Sequence, residues 1–398
     1  MTVAATRPGD GDERVPEILI ERARSLIPVL RQRSAQATAE RKLPQETIDD
    51  FRRLGLTRCL QPAMFGGFGS DYRVFSKMLR VLAHGCGSSA WVAAVHTEHS
   101  WVVGQFPEAA QHAVWDENPD AVASASFMVG NTAEPAAGGH RLSGRWGFAS
   151  GVDHAQWMLL MASVNSSGTP EPRIFLLPID QVEIVDDWHV LGLCGTGSKT
   201  VVVKDKIVPA AFSVSIHELK TGTAPGASVH KDNPMYRMPR NMVALFSLST
   251  VNVGLAERAV AEFVGFTRER QSRGVRVANL EAMQLMVAEA TAQAETAALI
   301  GDHTLDRALT LVESRQDITA EDVAWSRRNA SYSTQLAHSA VKLIFEAAGG
   351  SALYDKHPLQ EIFRDAMAAS AHLSLTWHRA APPYGQIRLG MPVAFDSL

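Results

Sequence analysis

The chain reads as an α+β protein, with an N-terminal helical domain, a central β-barrel or sandwich and a C-terminal helical bundle. The period of its apolar pattern changes twice, from helical to strand-like near residue 121 and back after residue 214. Turn residues crowd the middle segment and are sparse in the flanking ones. Size permits this division, because 398 residues with 46% hydrophobic content can bury roughly three quarters of their unfolded surface.

Residues 1–17 are polar and are expected to form a mobile tail. From Ile18 to residue 120 the spacing is helical: Leu19, Ala23, Leu26 and Leu30 mark one apolar face, and Leu43-Pro44 opens a second helix that stops near Gly55. The turn-rich QPAMFGGFGS precedes the helix YRVFSKMLRVLAHG, and SSAWVAAVHTEHSWVVGQF reads as a buried helix, apolar on most sides. Residues 121–214 hold six short segments rich in Val, Ile, Trp and Phe: AVASASFM, HRLSGRWGFAS, QWMLLMASV, RIFLLPI, VEIVDDWHV and TVVVKDKIVP. Gly, Pro, Asn and Asp bound them, which predicts a small barrel or sandwich. The third domain, residues 215–398, starts with a polar loop to Arg240 and continues in long helical patterns to Trp377, one of them capped by Thr319-Ala320-Glu321-Asp322.

Composition excludes several functions. Net charge is −4 with both signs interspersed, so no basic stripe offers itself to nucleic acid. No apolar run approaches the ~20 residues that cross a bilayer, and the N-terminus lacks the apolar stretch of a secretory signal. Cys59, Cys86 and Cys194 are odd in number and without CxxC spacing, which points to reduced thiols in the cytoplasm. His96 and His99 flank Glu98 at a spacing that suits a metal, but no further ligands stand at recognisable positions and no metal is expected. No GxGxxG opens a βαβ unit, so a bound nicotinamide cofactor is not expected either.

The run FEAAGGSALYDKHPLQEIFRDA carries an aromatic, Gly349-Gly350, Pro358 and Arg364-Asp365-Ala366 in the order of the flavin-binding segment of the acyl-CoA dehydrogenases, which it resembles. That family places its catalytic glutamate nine residues after the Arg. Here the position is Leu373, which takes no proton, and beside it stands His372. GRWGFASG resembles the strand that lies along the flavin ring, with Phe148 in it and Ser150 at the hydroxyl position that meets flavin N5. LGLCGTGSKTVVVKDKIVP resembles the closing strand pair of the family's β-domain. FTRERQSRG puts Arg270 four residues before Gly274, as in the segment whose Arg binds flavin phosphate across a subunit interface; this implies a homotetramer.

Within that superfamily the chain is more similar to the two-component flavin-dependent monooxygenases, the oxygenase components that hydroxylate p-hydroxyphenylacetate or a phenolic secosteroid. CGSSAWVAAVHTEHSW, SASF, WGFASGVDHAQW, DDWHVLGLCGTGS and IFRDAMAASAH carry the likeness. It implies that His99, Ser126, Ser150 and His372 line the flavin and substrate site, with Trp91 near the ring. It also implies reduced FMN or FAD delivered by a separate NAD(P)H-dependent flavin reductase, O2 as co-substrate and a small aromatic substrate, phenolic or polycyclic. Thr376 departs from the acidic residue of the secosteroid enzymes, and WHRAAPPYGQIRLG differs from their C-terminus.

The chemistry asks for these residue types. Reduced flavin and O2 give a C4a-hydroperoxide that decays to H2O2 unless water is excluded and N5–H meets an acceptor; a serine hydroxyl such as Ser150 and an aromatic wall such as Phe148 supply both. A phenol reacts far better as phenolate, which calls for a base near neutrality, and His372 and His99 are the candidates. His99 stands eight residues after Trp91, on roughly the same helix face. Two further reactions fit the scaffold: N-oxygenation of an amine or amino sugar, and acyl-CoA dehydrogenation with a relocated base. A DNA-binding role is disfavoured by the missing basic patch.

Overall fold

The computed structural model describes residues 15–165 and 170–398. Most of the expected tail lies outside the described residues, and Val15–Glu17 already form the first turn of α1 (Val15–Glu40). That helix buries Leu19, Ala23, Leu26, Leu30, Ser34 and Ala37, a stripe at helical spacing. α2 (Gln45–Arg53) starts directly after Pro44. α3 (Tyr72–Ala83) is capped by Asp71, whose carboxylate accepts the N–H groups of Arg73 and Val74. Every residue of α4 (Gly87–Val103) is buried, and α5 (Glu108–Trp115) completes the first helical layer.

Eight strands follow: β1 (Ala123–Ser126), β2 (Thr132–Ala136), β3 (Gly139–Ala149), β4 (Trp157–Val164), β5 (Glu171–Pro178), β6 (Glu183–Val185), β7 (Lys199–Pro209) and β8 (Ser213–Ser215). They form one sheet in the order β6-β7-β3-β2-β4-β5-β8, with β1 parallel to β4. Two of these strands are absent from the sequence reading. β2 contains Pro135 and no aromatic or β-branched run, and β8 is three residues long, so neither carries a strand signal. The sheet has two buried faces. Met158, Leu160, Phe175, Leu177, Val201 and Val203 share a core with Trp146 inside the β segment, whereas Leu159, Ile174, Leu176 and Val214 pack into the helical core. Alternation along β4 and β5 therefore serves two cores at once.

The expected polar loop after Ser215 is partly helical, with α6 (Ile216–Thr221) closed by a Ser215/Glu218 capping box and α7 (Gly226–Val229) beyond it. α8 (Arg240–Glu269) comes next, then a hairpin of β9 (Gln271–Ser272) and β10 (Val275–Arg276). α9 (Glu281–Glu313) and α10 (Ala320–Ala348) are the longest neighbours of α8, followed by α11 (Pro358–Ser370), α12 (Trp377–Ala380) and α13 (Pro382–Arg388). Thr319 and Asp322 do form a reciprocal capping box at α10. Contrary to the sequence reading, α8 is long and apolar enough to cross a bilayer. It is instead the core helix, burying Met242, Phe246, Leu255 and Phe263 against α3, α10 and α11.

One carboxyl joins the three parts. Asp365 on α11 is buried, and its Oδ1 accepts the backbone N–H of Leu193 at 2.6 Å. Its other oxygen lies at the amino end of α4, where a Cβ on Gly87 would come within 2.5 Å of it. Gly192 presses so closely on α11 that a Cβ there would sit 2.0 Å from the Arg364 carbonyl oxygen, and Leu193 takes a left-handed φ of 52° to make the turn. Burial, then the nearby Glu361 charge, pushes the Asp365 carboxyl up to about 7. Unfolded, it would titrate near ~3.9. The folded chain thus holds this proton more tightly, and the carboxyl's contribution to stability is full below the unfolded value and lost as pH rises through about 7. Asp365→Asn keeps an acceptor for Leu193 but cannot ionise. Chemical denaturation is expected to show this variant gaining on the wild type by a few kcal/mol between about pH 4 and pH 8; an offset that does not change with pH would refute it.

Candidate active site

The site forms where α4 passes under β1 and the end of β3. Pairing of β3 with β7 shifts register between Trp146 and Ala149, and inside that bulge Phe148 has φ 61°. A left-handed phenylalanine costs of order 1–3 kcal/mol, and such strain gathers at functional positions. Its effect is to turn the ring outward: Phe148 is 67% exposed and meets Trp188 edge-on at 6.1 Å. Leu191 (64%) and Leu373 (54%) are also exposed apolar side chains.

Two residues on, Ser150 is buried in a line of hydroxyls. Trp91 Nε1 donates to Ser150 Oγ at 3.2 Å, Ser150 and Ser198 Oγ atoms lie 2.7 Å apart, and Ser198 and Thr196 hydroxyls lie 2.7 Å apart. Thr196 donates to the Leu193 carbonyl at 2.8 Å. The far end sets the direction of the whole line. A carbonyl only accepts, so the Thr196 proton is spent there; Ser198 must then donate to Thr196, and Ser150 to Ser198. Indole N–H only donates, so Ser150 Oγ is left with one free lone pair and no proton to give. It is an acceptor by construction.

β1 holds this strand in place through two serines. Ser124 donates to the Ser150 carbonyl at 2.9 Å and Ser126 to the Gly147 carbonyl at 2.6 Å. Ser126 thereby spends its proton bracing the bulge and retains only acceptor capacity.

The two histidines of α4 reach the same region. His96 Nε2 bonds the Gly151 carbonyl at 3.1 Å and His99 Nδ1 the Ala123 carbonyl at 2.9 Å. Because those partners only accept, the proton sits on Nδ1 of His99 and its Nε2 carries a lone pair. Burial pushes both imidazoles down to about 3, so each is neutral. His99 packs edge-on to Phe127 at 5.8 Å. His372, at the end of α11, faces Trp91 at 6.1 Å and makes no side-chain hydrogen bond among the described residues. His372 is exposed to solvent, with its ring packed on Trp91. Desolvation lowers its pKa and the Glu98 charge opposes the shift.

Beneath the histidines lies a pair that sequence reasoning missed. Arg240 Nη2 donates to Glu98 Oε1 at 2.8 Å, and Ser247 Oγ stands 3.1 Å from Glu98 Oε2 while the Ala244 carbonyl, at 2.6 Å, is the nearer acceptor for its single proton. The Arg240 guanidinium also covers the Phe127 ring at 4.6 Å. The sequence offered a weak signal in a lone carboxylate within a largely apolar helix.

Trp91, His99, Ser126, Ser150 and His372 are thus brought together, with Phe148 at the mouth. Arg270, Gly349 and Gly350 form a separate group. Arg270 Nη1 donates to the Ala348 carbonyl at 3.2 Å and its guanidinium stacks on Phe266 at 5.2 Å, beside a cavity of about 600 Å³ lined by Phe266, Tyr354, Lys356 and His357. Neither of these Arg270 contacts reaches Ser150.

A family model described as acyl-CoA dehydrogenase, C-terminal domain, matches residues 246–377. Over 385 residues the chain is 34% identical to the FADH2-dependent resorcinol hydroxylase, oxygenase component, of Rhizobium sp. (strain MTP-10005), covering 94% of each. It is 26% identical over 376 residues to the p-hydroxyphenylacetate 3-hydroxylase, oxygenase component, of Acinetobacter baumannii, covering 94% of this chain and 89% of the relative. The crystal structure of 3-HSA hydroxylase from Rhodococcus sp. RHA1 matches with a TM-score of 0.92 and 30% identity, over 97% of this chain and all of the other. With an acceptor-only serine, neutral histidines and a leucine at the dehydrogenase base position, the chain belongs to the flavin-dependent monooxygenases of the acyl-CoA dehydrogenase fold, among their oxygenase components.

Proposed function

We propose that the protein is the oxygenase component of a two-component monooxygenase that uses reduced flavin and O2 to hydroxylate an aromatic, phenolic substrate. The observation that carries the reading is the polarised hydroxyl line ending in Ser150, an acceptor bonded to Trp91, whose ring packs on His372 and whose helix also carries the neutral His99. These residues fit a reduced flavin, whose ring-edge N–H needs an acceptor and whose flat face suits the exposed Phe148. Arg270, with Gly349 and Gly350, would hold a phosphate. When bound, the reduced flavin, FMN or FAD, supplies the electrons that activate O2.

The chain's own residues do the rest. His99 Nε2 accepts a hydrogen bond from the phenol O–H and orients the ring; an enclosed imidazole with a pKa of about 3 holds that proton poorly. His372 suits the base. It takes the phenol proton while the O–H electron pair stays on oxygen, and its solvent contact lets it pass the proton to water. Trp91 and Phe127, packed on His372 and His99, and the exposed Phe148 supply apolar surface that limits water. Leu373 gives no base for acyl-CoA dehydrogenation.

Electrons are inferred to come from a separate NAD(P)H-dependent flavin reductase. The active unit is inferred to be a homotetramer, which would bring a neighbour's Arg270 to each flavin and cover Leu285 and Leu299, 63% and 68% exposed on α9. The purified protein should therefore be inert with NADH and a phenol, and should consume O2 and form product once a reductase and FMN or FAD are added, as a tetramer by light scattering. Turnover without reductase, or by a monomer, would refute the respective inference.

Ser150→Ala removes the acceptor and leaves the Trp91 N–H unpaired. A lost hydrogen bond of about 0.5–1.5 kcal/mol corresponds to roughly two- to twelvefold. Product per O2 consumed is expected to fall by that order while reduced-flavin binding stays nearly unchanged; unaltered coupling would make Ser150 a structural residue.

His372→Asn should uncouple O2 consumption from hydroxylation near neutrality and recover as pH approaches the phenol's own pKa, near ~10, where solvent removes the proton. His99→Asn should weaken phenol binding without changing that pH profile. Measuring product per O2 from about pH 6 to pH 10 separates the two, and a His372 variant fully coupled at about pH 7 would reverse the assignment.

A further inference from the structure

Gly147, in the bulge of β3, is braced by two side chains from β1 and the loop after it. Ser126 donates to its carbonyl at 2.6 Å, and Met128 Sδ accepts its N–H at 3.1 Å. The ladder pairs Trp146 with Val201 and Ala149 with Lys199, so Gly147 and Phe148 together stand opposite Thr200 alone. Whatever moves Gly147 therefore moves Phe148, with its φ of 61°, and Ser150 beyond it. A Cβ on Gly147 would lie 3.4 Å from the Met128 sulfur, so the thioether rests directly on the strand. The same residue is open to solvent. Met128 is 41% exposed, Val129 beside it is 83% exposed, and a Cβ on Gly130 would meet nothing within 4 Å. One thioether thus serves as a structural acceptor and as an accessible reductant.

We propose that Met128 is an oxidation site, through which H2O2 released by the enzyme's own uncoupled turnover reversibly lowers its coupling. The source of the peroxide rests on the reduced-flavin reading above; the contact with Gly147 does not. In the step, a lone pair of the thioether attacks one peroxide oxygen and the O–O bond breaks. The departing oxygen takes the proton of the transferred one and leaves as water. Sulfur loses two electrons and peroxide gains them, so the products are methionine sulfoxide and water. The sulfoxide does not fit the native contact. An oxygen added on the side of Gly147 would have to stand between a sulfur and a nitrogen already no farther apart than one ordinary N–H···O bond, so the sulfur must retreat. An oxygen added on the other side leaves one lone pair on an electron-poor sulfur, a weak acceptor. Either epimer frees the Gly147 N–H and loosens the bulge that aims Phe148 and places Ser150. Position favours this methionine, since peroxide set free beside Ser126 and Ser150 meets a thioether two residues after Ser126 before bulk solvent dilutes it. Met64, 52% exposed on the turn Ala63–Phe65, is the more accessible reference.

The test incubates the wild type with a flavin reductase, NADH and FAD but no phenol, so that O2 is turned to H2O2. Samples are taken for peptide mass spectrometry and for coupling with resorcinol. Met128 sulfoxide is expected to accumulate several times faster than Met64 sulfoxide, and product per O2 to fall in step with the oxidised fraction of Met128. The two methionine sulfoxide reductases, one for each epimer, should restore it. Met128→Leu cannot be oxidised there and is expected to keep its starting coupling through the same incubation. The proposal is overturned if Met128 oxidises no faster than Met64, if coupling is unchanged in protein oxidised at Met128, or if the leucine variant loses coupling as fast as the wild type. A flavin-free arm tests the contact alone. H2O2 added to the purified protein should speed hydrogen exchange in the peptide containing Gly147, and the sulfoxide reductases should reverse it; unchanged exchange with Met128 oxidised would remove the brace from the argument and the proposal with it. If reduced flavin supports no O2 consumption, the oxygenase reading fails and takes the source of peroxide with it, whereas the exchange arm still decides whether Met128 holds the bulge.

Discussion

The buried carboxyl of Asp365 is the constraint on which the site depends. It ties α11 to the 192–195 turn and stands at the amino end of α4. The first leads directly into His372, the second carries the hydroxyl line's terminal carbonyl and the third carries Trp91. A shift of any one would break a line whose members lie 2.7–3.2 Å apart. The cost is a carboxyl held in a dry place, visible in its raised pKa. Close backbone contact at Gly192 explains why the turn cannot simply be replaced by a longer or bulkier one.

Around that junction the protein uses carbonyl groups to decide where protons sit. The Leu193 carbonyl orders three hydroxyls, the Ala123 carbonyl sets the His99 tautomer, and the Gly151 carbonyl sets that of His96. Each is a fixed backbone acceptor, so side-chain polarity is settled before any ligand arrives and no reorganisation is needed when one binds. Ser150 and His99 Nε2 both become acceptors. That combination suits a bound N–H and a bound O–H, the two donors that a reduced flavin and a phenol would offer.

Neutrality is the second theme. His96 and His99 are uncharged because they are dry, and the partly buried Arg240 near His99 is paired with Glu98. A site that holds no net charge loses little by excluding water, which is the condition under which activated oxygen is spent on substrate rather than on solvent. The strained Phe148 fits the same logic, since the bulge that re-aims its ring also brings Ser150 under α4.

Much of this was legible in the sequence. Apolar period alone gave α1 and the wholly buried α4, and the Thr319 cap of α10 was readable from four letters. That Leu373 stands nine residues after Arg364, with His372 beside it, was likewise plain, because these are statements about which residue occupies which place. The proline-containing β2 and the three-residue β8 were invisible, since their strand character comes from neighbours across the sheet and not from their own residues. The same reason hid Thr196, Ser198, Glu98 and Arg240. Each is an ordinary polar residue until a partner distant in sequence is within hydrogen-bonding reach, as Ser150 is for Ser198 and Arg240 for Glu98. By itself the sequence determined the residue types, the helical and strand periods and the missing carboxylate. Only the tertiary structure decided which hydroxyl gives its proton to which, which histidine nitrogen is free and which charge is cancelled, because hydrogen-bond direction and burial are properties of pairs and surroundings, not of single residues.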